Sequence, residues 1–156
     1  MADAAAATGD VLTAHEVGMV FNAESANPVR ALGNISFGLR KREVLAIVGP
    51  SGCGKTTLFN IIAGLISPTM GSVSVNGVQV AGVKGHVGYM LQKDMLLPWR
   101  SVLDNVTLGL EVRGVARAEA EEIAHRLITS YGLGGFEKAK PATLSGGMRQ
   151  RVAFMR

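Results

Sequence analysis

The chain has 156 residues, of which 47% are hydrophobic and 18% charged, and its formal net charge is +4. This length suits one domain with a core of ordinary size, and the composition is that of a globular protein. The single cysteine excludes an internal disulfide and indicates a reducing compartment. No apolar run reaches the roughly 18 residues of a membrane span. A basic balance allows nucleic acid, an acidic membrane surface or a phosphate ligand as partners, but most basic side chains are expected only to coat a solvated surface.

The first part of the chain is predicted to be rich in strands. Apolar residues alternate with polar ones up to residue 39, whereas Glu43–Val48 is a continuous apolar run stopped by Gly49, which is typical of a buried strand in a parallel sheet. Asn76-Gly77 between two apolar runs predicts a tight hairpin. In chain order, we expect a disordered tail at 1–11, strands at Leu12–Phe21, Ala31–Leu39 and Glu43–Val48, a helix at Lys55–Leu65, hairpin strands at Ser72–Val75 and Val78–Val80, and a strand at Gly85–Leu91.

From Lys93 onward the pattern is helical, because apolar residues recur at spacings of three and four. Val102–Val112 and Arg117–Tyr131 are predicted to be amphipathic helices, joined by a Gly-rich connection to a third helix at Met148–Arg156. The sequence ends within this third helix without a cap or a breaker.

A phosphate loop is predicted at Gly49–Thr56, whose sequence GPSGCGKT fits G-x-x-x-x-G-K-[S/T] between a predicted strand and a predicted helix. The glycines let successive N–H groups face one anion, and the helix adds the positive end of its dipole. Lys55 is expected to reach the β- and γ-phosphates of ATP, and Thr56 to bind Mg²⁺. The flanking elements disfavour the alternative of a plain Gly-rich turn. The expected nucleotide contacts are Gly49, Pro50, Ser51, Gly52, Cys53, Gly54, Lys55 and Thr56.

Cys53 occupies a variable position of this loop and is expected only to be small. It also lies beside cationic groups and a helix N-terminus, a setting that favours reactive thiols, so a redox or nucleophilic role is the alternative. We expect alkylation of Cys53 to abolish nucleotide binding and bound ATP to protect the thiol.

A second Gly-rich segment, Leu144–Arg151 with the sequence LSGGMRQR, combines a Ser hydroxyl, two glycines and a predicted helix start. These features again suit an anion, although they also describe an ordinary helix N-terminus. Together with GPSGCGKT, this segment resembles the signature motif of ABC-transporter ATPases, and the resemblance covers residues 12–156. It implies an α/β fold: a P-loop NTPase core of the ABC ATPase type with an antiparallel β subdomain and a helical insert, incomplete at the C-terminus.

The resemblance also implies roles for single residues. Gln92 corresponds to the family's Q-loop glutamine, which contacts the metal and the attacking water, so Gln92 and Lys55 are the expected catalytic residues and Gln92 and Thr56 the expected Mg²⁺ ligands. Phe21 stands where the family stacks an aromatic ring on adenine. The further nucleotide contacts implied are Thr57, Ser145, Gly146 and Gly147.

The segment Met90–Gly114 is similar to importer ATPases for nitrate, sulfonate and taurine, and Leu97-Pro98-Trp99 is typical of that branch. In the family this surface docks a coupling helix of a membrane permease. The alternative is that Trp99 is an internal anchor of the helical insert.

Family members continue, after the signature, into a strand that ends in the Walker B Asp and the catalytic Glu, and neither lies within residues 1–156. The histidines His15, His86 and His125 all precede the signature and so cannot correspond to the family's switch histidine, and His86 and His125 are interpreted as surface or edge residues. We therefore expect this polypeptide, a truncated member of the family, to bind ATP with hydrolysis at background level at best, and to be poorly soluble because a sheet edge is uncovered.

The resemblance divides the chain into a nucleotide-binding core at 12–92, a helical subdomain at 93–143 and the signature with its helix at 144–156. It implies a second ATPase subunit, with a homodimer favoured, and an integral-membrane permease as partners, at the inner face of the plasma membrane. No nucleic acid is expected. The alternatives are a non-catalytic nucleotide-binding fragment and a soluble ABC protein of DNA repair or translation.

Overall fold

The computed structural model describes residues 9–82 and 87–156. The chain divides into two compact units, residues 1–89 and 90–156. Residues 1–8 of the predicted tail lie outside the described residues, whereas Asp10 already belongs to the first strand. No helix within the described ranges is long and apolar enough to cross a membrane.

The first unit contains an antiparallel sheet whose strand order is β2-β1-β3-β4. The strands are β1 Asp10–Phe21, β2 Val29–Arg40, β3 Met70–Val75 and β4 Val78–Gln79. The predictions for β1 and β2 are confirmed, with ends extended by one or two residues. The predicted hairpin is confirmed too: Asn76 and Gly77 connect β3 to β4 with φ angles of 50° and 76°, the left-handed values that a tight two-residue turn requires.

Helix α1, Lys55–Ile62, packs against this sheet through Leu58, Ile61 and Ile62. Their spacing places them on one helical face, and burial of such side chains stabilises the unit by about 1.5–3 kcal/mol each. The helix ends earlier than predicted because Gly64 adopts a φ of 73° and donates its N–H to the carbonyl of Ile61. A glycine in the left-handed conformation is a common helix terminator.

The strand predicted at Glu43–Val48 is wrong. This segment pairs with no strand of the described residues, and Val44 and Val48 are each 92% exposed. Of the segment, Ile47 packs against the core of the first unit. A lone extended segment cannot satisfy its backbone N–H and C=O groups without a neighbouring strand, so its apolar pattern alone does not bury it.

The strand predicted at Gly85–Leu91 is also wrong for the part of it that the structure describes. Residues 83–86 lie outside the described residues, and residues 87–91 have no strand pairing. Tyr89 instead donates its hydroxyl to the Asn60 side-chain oxygen on α1, at 3.0 Å.

The second unit is helical, as predicted, with α2 Val102–Val112, α3 Arg117–Ser130 and α4 Gly146–Met155. A single 3-10 turn, Pro141–Thr143, precedes α4. The core consists of apolar side chains from all three helices and their connections: Leu96, Val102, Val106, Ala124, Ile128, Leu133, Leu144, Val152 and Met155. This core positions both the segment that follows Gln92 and the start of α4.

Candidate nucleotide-binding site

The segment Gly49–Thr56 bends sharply and leads into α1. Gly52 and Gly54 have φ angles of 82° and 94°, which L-residues with a Cβ rarely adopt. A Cβ on Gly54 would lie 2.5 Å from the carbonyl oxygen of Ala31 on β2. The loop therefore approaches the sheet at Gly54 so closely that a residue with a Cβ would overlap with β2. The sequence pattern and the backbone therefore agree on why glycine stands at these two positions.

The Lys55 ammonium folds back over this loop. Its Nζ donates to the carbonyl oxygens of Gly49 and Pro50, both at 2.7 Å, and lies 3.5 Å from the Cys53 sulfur. The positive charge is thereby held within the turn instead of extending into solvent. Cys53 is exposed and has a free thiol.

The start of α1 suits an anion. Its N-cap is Gly54, so no side chain of the described residues caps the helix N-terminus. The N–H groups of the first turn and the helix dipole thus remain available to a ligand such as a phosphate group. Thr56, exposed, and Thr57, partly buried, add hydroxyl groups in this turn.

The residues present fit Mg²⁺ only in combination with phosphate oxygens. The Thr56 hydroxyl is a hard oxygen ligand of the kind Mg²⁺ accepts, and Mg²⁺ commonly completes its shell with water and substrate phosphates. No group of three or more His, Cys, Asp and Glu side chains that could hold a metal occurs in the described parts of the chain.

Phe21 ends β1, paired with Val29 of β2, and is 39% exposed. An aromatic ring with one accessible face can stack on a flat ligand. His125 is exposed, which confirms its interpretation as a surface residue, and His15 is exposed as well. His86 lies outside the described residues.

In the second unit, Ser145 is the N-cap of α4. Its hydroxyl accepts the Met148 N–H at 3.3 Å, and Gly146 and Gly147 form the first helical residues. The two glycines place no side chain over the helix start, and a Cβ on Gly147 would meet nothing within 4 Å. This helix start is therefore open to an approaching anion.

Gln92 is exposed in the irregular segment that precedes α2. Two residues later, Asp94 accepts a hydrogen bond from Arg149 Nε at 3.0 Å, and Arg149 also donates to the Leu144 carbonyl at 2.7 Å. Arg149 thus connects the segment after Gln92 to the signature and its helix. Asp94 and Arg149 were not among the predicted site residues, because no local pattern relates positions 55 residues apart.

Trp99 is 70% exposed, so the interpretation of this residue as an internal anchor is wrong. It occupies the tip of a turn that leads into α2, and Ser101 caps that helix by accepting the Asp104 N–H at 3.1 Å.

The Ser101 side chain, which forms a hydrogen bond with the Asp104 carboxylate at 2.6 Å, is the main cause that lowers the pKa of Asp104. The hydrogen bond from Arg100 is the main cause that lowers the pKa of Glu111 in the last turn of α2.

A family model described as ABC transporter matches residues 32–156. The chain is 51% identical to an ABC transporter ATP-binding protein of Methanocaldococcus jannaschii, over 85% of this chain and 49% of the relative. It is 42% identical to the taurine import ATP-binding protein TauB of Pseudomonas aeruginosa, over 93% of this chain and 55% of the relative. The chain thus spans about half the length of these curated relatives.

Among solved structures, the fold is similar to the ATP-binding cassette MJ0796, a dimer in a post-hydrolysis state bound to ADP and Pi. The TM-score is 0.81 at 28% identity, and the match covers 92% of this chain and 67% of the cassette. A phosphate-loop geometry, a glycine-started signature helix and these matches lead to one conclusion: the chain belongs to the ABC transporter family of ATP-binding proteins.

Proposed function

We propose that the protein containing these residues is the ATP-binding subunit of an ABC importer of small solutes such as nitrate, sulfonates or taurine. The loop Gly49–Thr56, with Lys55 held over it and an uncapped helix behind it, carries the proposal. The identity to a taurine import ATP-binding protein supports the importer branch. The functional division follows the sequence: a nucleotide-binding core at 12–92, a helical subdomain at 93–143 and the signature segment at 144–156.

On ATP binding, Lys55 exchanges its two carbonyl partners for the β- and γ-phosphates. The exchange is favourable because the ammonium group then meets the negative charge of the phosphates in place of neutral carbonyl oxygens. Backbone N–H groups of Gly49 and Ser51–Thr57 hold the remaining phosphate oxygens, and Phe21 stacks on the base. Thr56 would hold Mg²⁺, which would neutralise charge on the phosphates, and the family resemblance assigns Gln92 the same role.

The signature serves the ATP of a second subunit. Ser145, Gly146 and Gly147 leave a helix start uncovered, and their N–H groups suit the γ-phosphate bound by the other chain. The dimeric state of the related cassette supports such a pair, which we propose to be a homodimer. The pair acts on the inner face of the plasma membrane, bound to an integral-membrane permease.

Hydrolysis requires groups that orient water and anchor the metal. Among the described residues, no group of three or more His, Cys, Asp and Glu side chains could anchor a metal. As a second candidate function, we propose that the isolated 156-residue polypeptide binds nucleotide without efficient turnover. Sustained ATP turnover by this purified polypeptide would contradict that part of the proposal.

ATP binding is tested by competition against a fluorescent nucleotide with the variant Lys55→Met. Loss of a charge-assisted contact is expected to weaken ATP binding at least about tenfold, with a smaller effect on AMP, which lacks the β- and γ-phosphates. Lys41→Met is the matched control, since Lys41 is exposed in the turn after β2. Equal ATP affinity of the Lys55 variant and the control would refute the phosphate role of Lys55.

The importer role is tested by co-expressing the chain with candidate integral-membrane permeases from the same genome and isolating complexes from detergent-solubilised membranes. Copurification with the permease supports the proposal. Recovery with ribosomes or DNA and without the permease would favour a soluble ABC protein of translation or repair.

A further inference from the structure

The side chain of Asn105 is completely buried in the second unit, with 0% relative exposure. A buried amide is costly unless its donors and acceptor are satisfied. All its hydrogen-bond partners lie in the connection that precedes α2, so these hydrogen bonds stabilise the conformation of that connection.

Asn105 binds Leu97 at both backbone groups. Its Oδ1 accepts the Leu97 N–H at 2.8 Å, and its Nδ2 donates to the Leu97 carbonyl at 3.2 Å. The same Nδ2 donates to the carbonyl oxygens of Ser101 at 2.9 Å and Arg100 at 3.4 Å. One side chain therefore holds both ends of the segment Leu97–Ser101.

Between these ends the chain forms a turn, closed by the Arg100 N–H donating to the Leu97 carbonyl at 3.1 Å. Pro98 occupies the second position of the turn, where its fixed φ is favoured, and Trp99 the third. Lys140 Nζ donates to the Trp99 carbonyl at 2.8 Å, and this hydrogen bond also restrains the backbone at the tip of the turn.

Trp99 is thus a large apolar side chain that is 70% exposed on a backbone held at almost every residue. Tryptophan is enriched among the residues that dominate protein–protein binding energy, and prior ordering of such a residue lowers the entropy cost of association. We propose that Asn105 and Lys140 are positioning residues that hold Trp99 ready to dock an apolar side chain of the membrane permease. This inference rests on the proposed function for the identity of the partner, but the rigid turn can be tested without it.

The chain contains one tryptophan, so its fluorescence reports on Trp99 alone. In the unaltered chain we expect the fluorescence anisotropy to decay with overall tumbling. Asn105→Ala and Lys140→Met are expected to add a fast, nanosecond component, the timescale of loop motion. Lys138→Met is the matched control, since Lys138 is exposed and two residues from Lys140. Asn105→Ala is also expected to speed hydrogen exchange at the Leu97 amide at least about tenfold, because that N–H loses its acceptor.

Affinity for the permease that copurifies with the unaltered chain is the second readout. Asn105→Ala is expected to weaken binding about tenfold and Trp99→Ala at least about thirtyfold. The double variant should bind as Trp99→Ala does, because the positioning residue acts through Trp99. Additive losses would overturn the positioning role.

The anisotropy and the affinity measurements distinguish a failure of the positioning role from a failure of Trp99 docking. Unchanged anisotropy decay in both the Asn105 and Lys140 variants overturns the inference, whether or not Trp99→Ala weakens permease binding. A mobile Trp99 in both variants, with permease affinity unaffected even by Trp99→Ala, overturns the docking part of this inference, whereas the proposed function fails only if the unaltered chain does not copurify with a permease. If Asn105→Ala does not fold, Lys140→Met decides alone, because Lys140 is exposed and not part of the core.

Discussion

Two alanine substitutions in the phosphate loop separate backbone strain from steric overlap. Gly52 and Gly54 both have left-handed φ angles, 82° and 94°. A Cβ at Gly52 would meet nothing within 4 Å, whereas a Cβ at Gly54 would lie 2.5 Å from the Ala31 carbonyl oxygen and 2.7 Å from Leu32 Cδ2. Gly52→Ala therefore costs only the left-handed strain, about 1–2 kcal/mol. Gly54→Ala adds the overlap, typically a further 1–3 kcal/mol.

Hydrogen exchange measures this difference within the first unit, because a single global unfolding curve is not well defined for a chain of two compact units. The buried residues of α1, Leu58, Ile61 and Ile62, report the local opening free energy through their amides. Since about 1.4 kcal/mol corresponds to a tenfold change in an equilibrium, exchange should accelerate about tenfold in Gly52→Ala and a further ~5- to 140-fold in Gly54→Ala. Equal acceleration in the two variants would show that the loop does not press against β2 and would refute the reasoning.

The remaining predictions concern both units. Alkylation of Cys53, whose sulfur is 3.5 Å from Lys55 Nζ, should abolish binding of a fluorescent ATP analogue, with ATP protecting the thiol; full ATP affinity after complete alkylation would contradict it. Because the pKa of Asp104 is lowered from 3.8, its contribution to stability is present above that pH and lost as the pH falls toward the lowered value. Ser101→Ala should remove most of this pH dependence in urea titrations that follow the fluorescence of Trp99, which reports on the second unit, and cost about 1 kcal/mol at neutral pH; an unchanged pH profile would sink the assignment. Arg149→Met should destabilise the second unit more than Asp94→Asn does, because Arg149 also binds the Leu144 carbonyl; equal urea midpoints would argue against it.

The local features of the fold were predictable because their causes lie within a few residues of one another. The Asn76-Gly77 turn follows from left-handed φ angles that few other residues accept. Helix α2 begins and ends where the apolar periodicity indicates, and the structure adds a capping box of Ser101 and Asp104 at its start. The phosphate loop is another local feature, since the left-handed φ angles of Gly52 and Gly54 explain why glycine stands at these two positions.

Predictions that required a distant partner failed or were not made. Glu43–Val48 has the apolar pattern of a buried strand, yet burial depends on a neighbouring strand and none pairs with it in the described residues. The Asp94–Arg149 ion pair and the hold of Lys140 on the Trp99 carbonyl join positions far apart in the chain. No periodicity encodes such contacts, so they could not be inferred from spacing.

The sequence by itself determined the family, and it predicted the phosphate loop Gly49–Thr56 and the signature start at Ser145, because backbone conformation and anion affinity there depend on residue types at short, defined spacings. Only the tertiary structure decided that Lys55 folds onto its own loop, that Trp99 is exposed on a turn held by Asn105, and that Glu43–Val48 is not a paired strand. Exposure and long-range hydrogen bonds depend on which distant segments meet. That is decided by packing within each of the two cores and not by any local pattern.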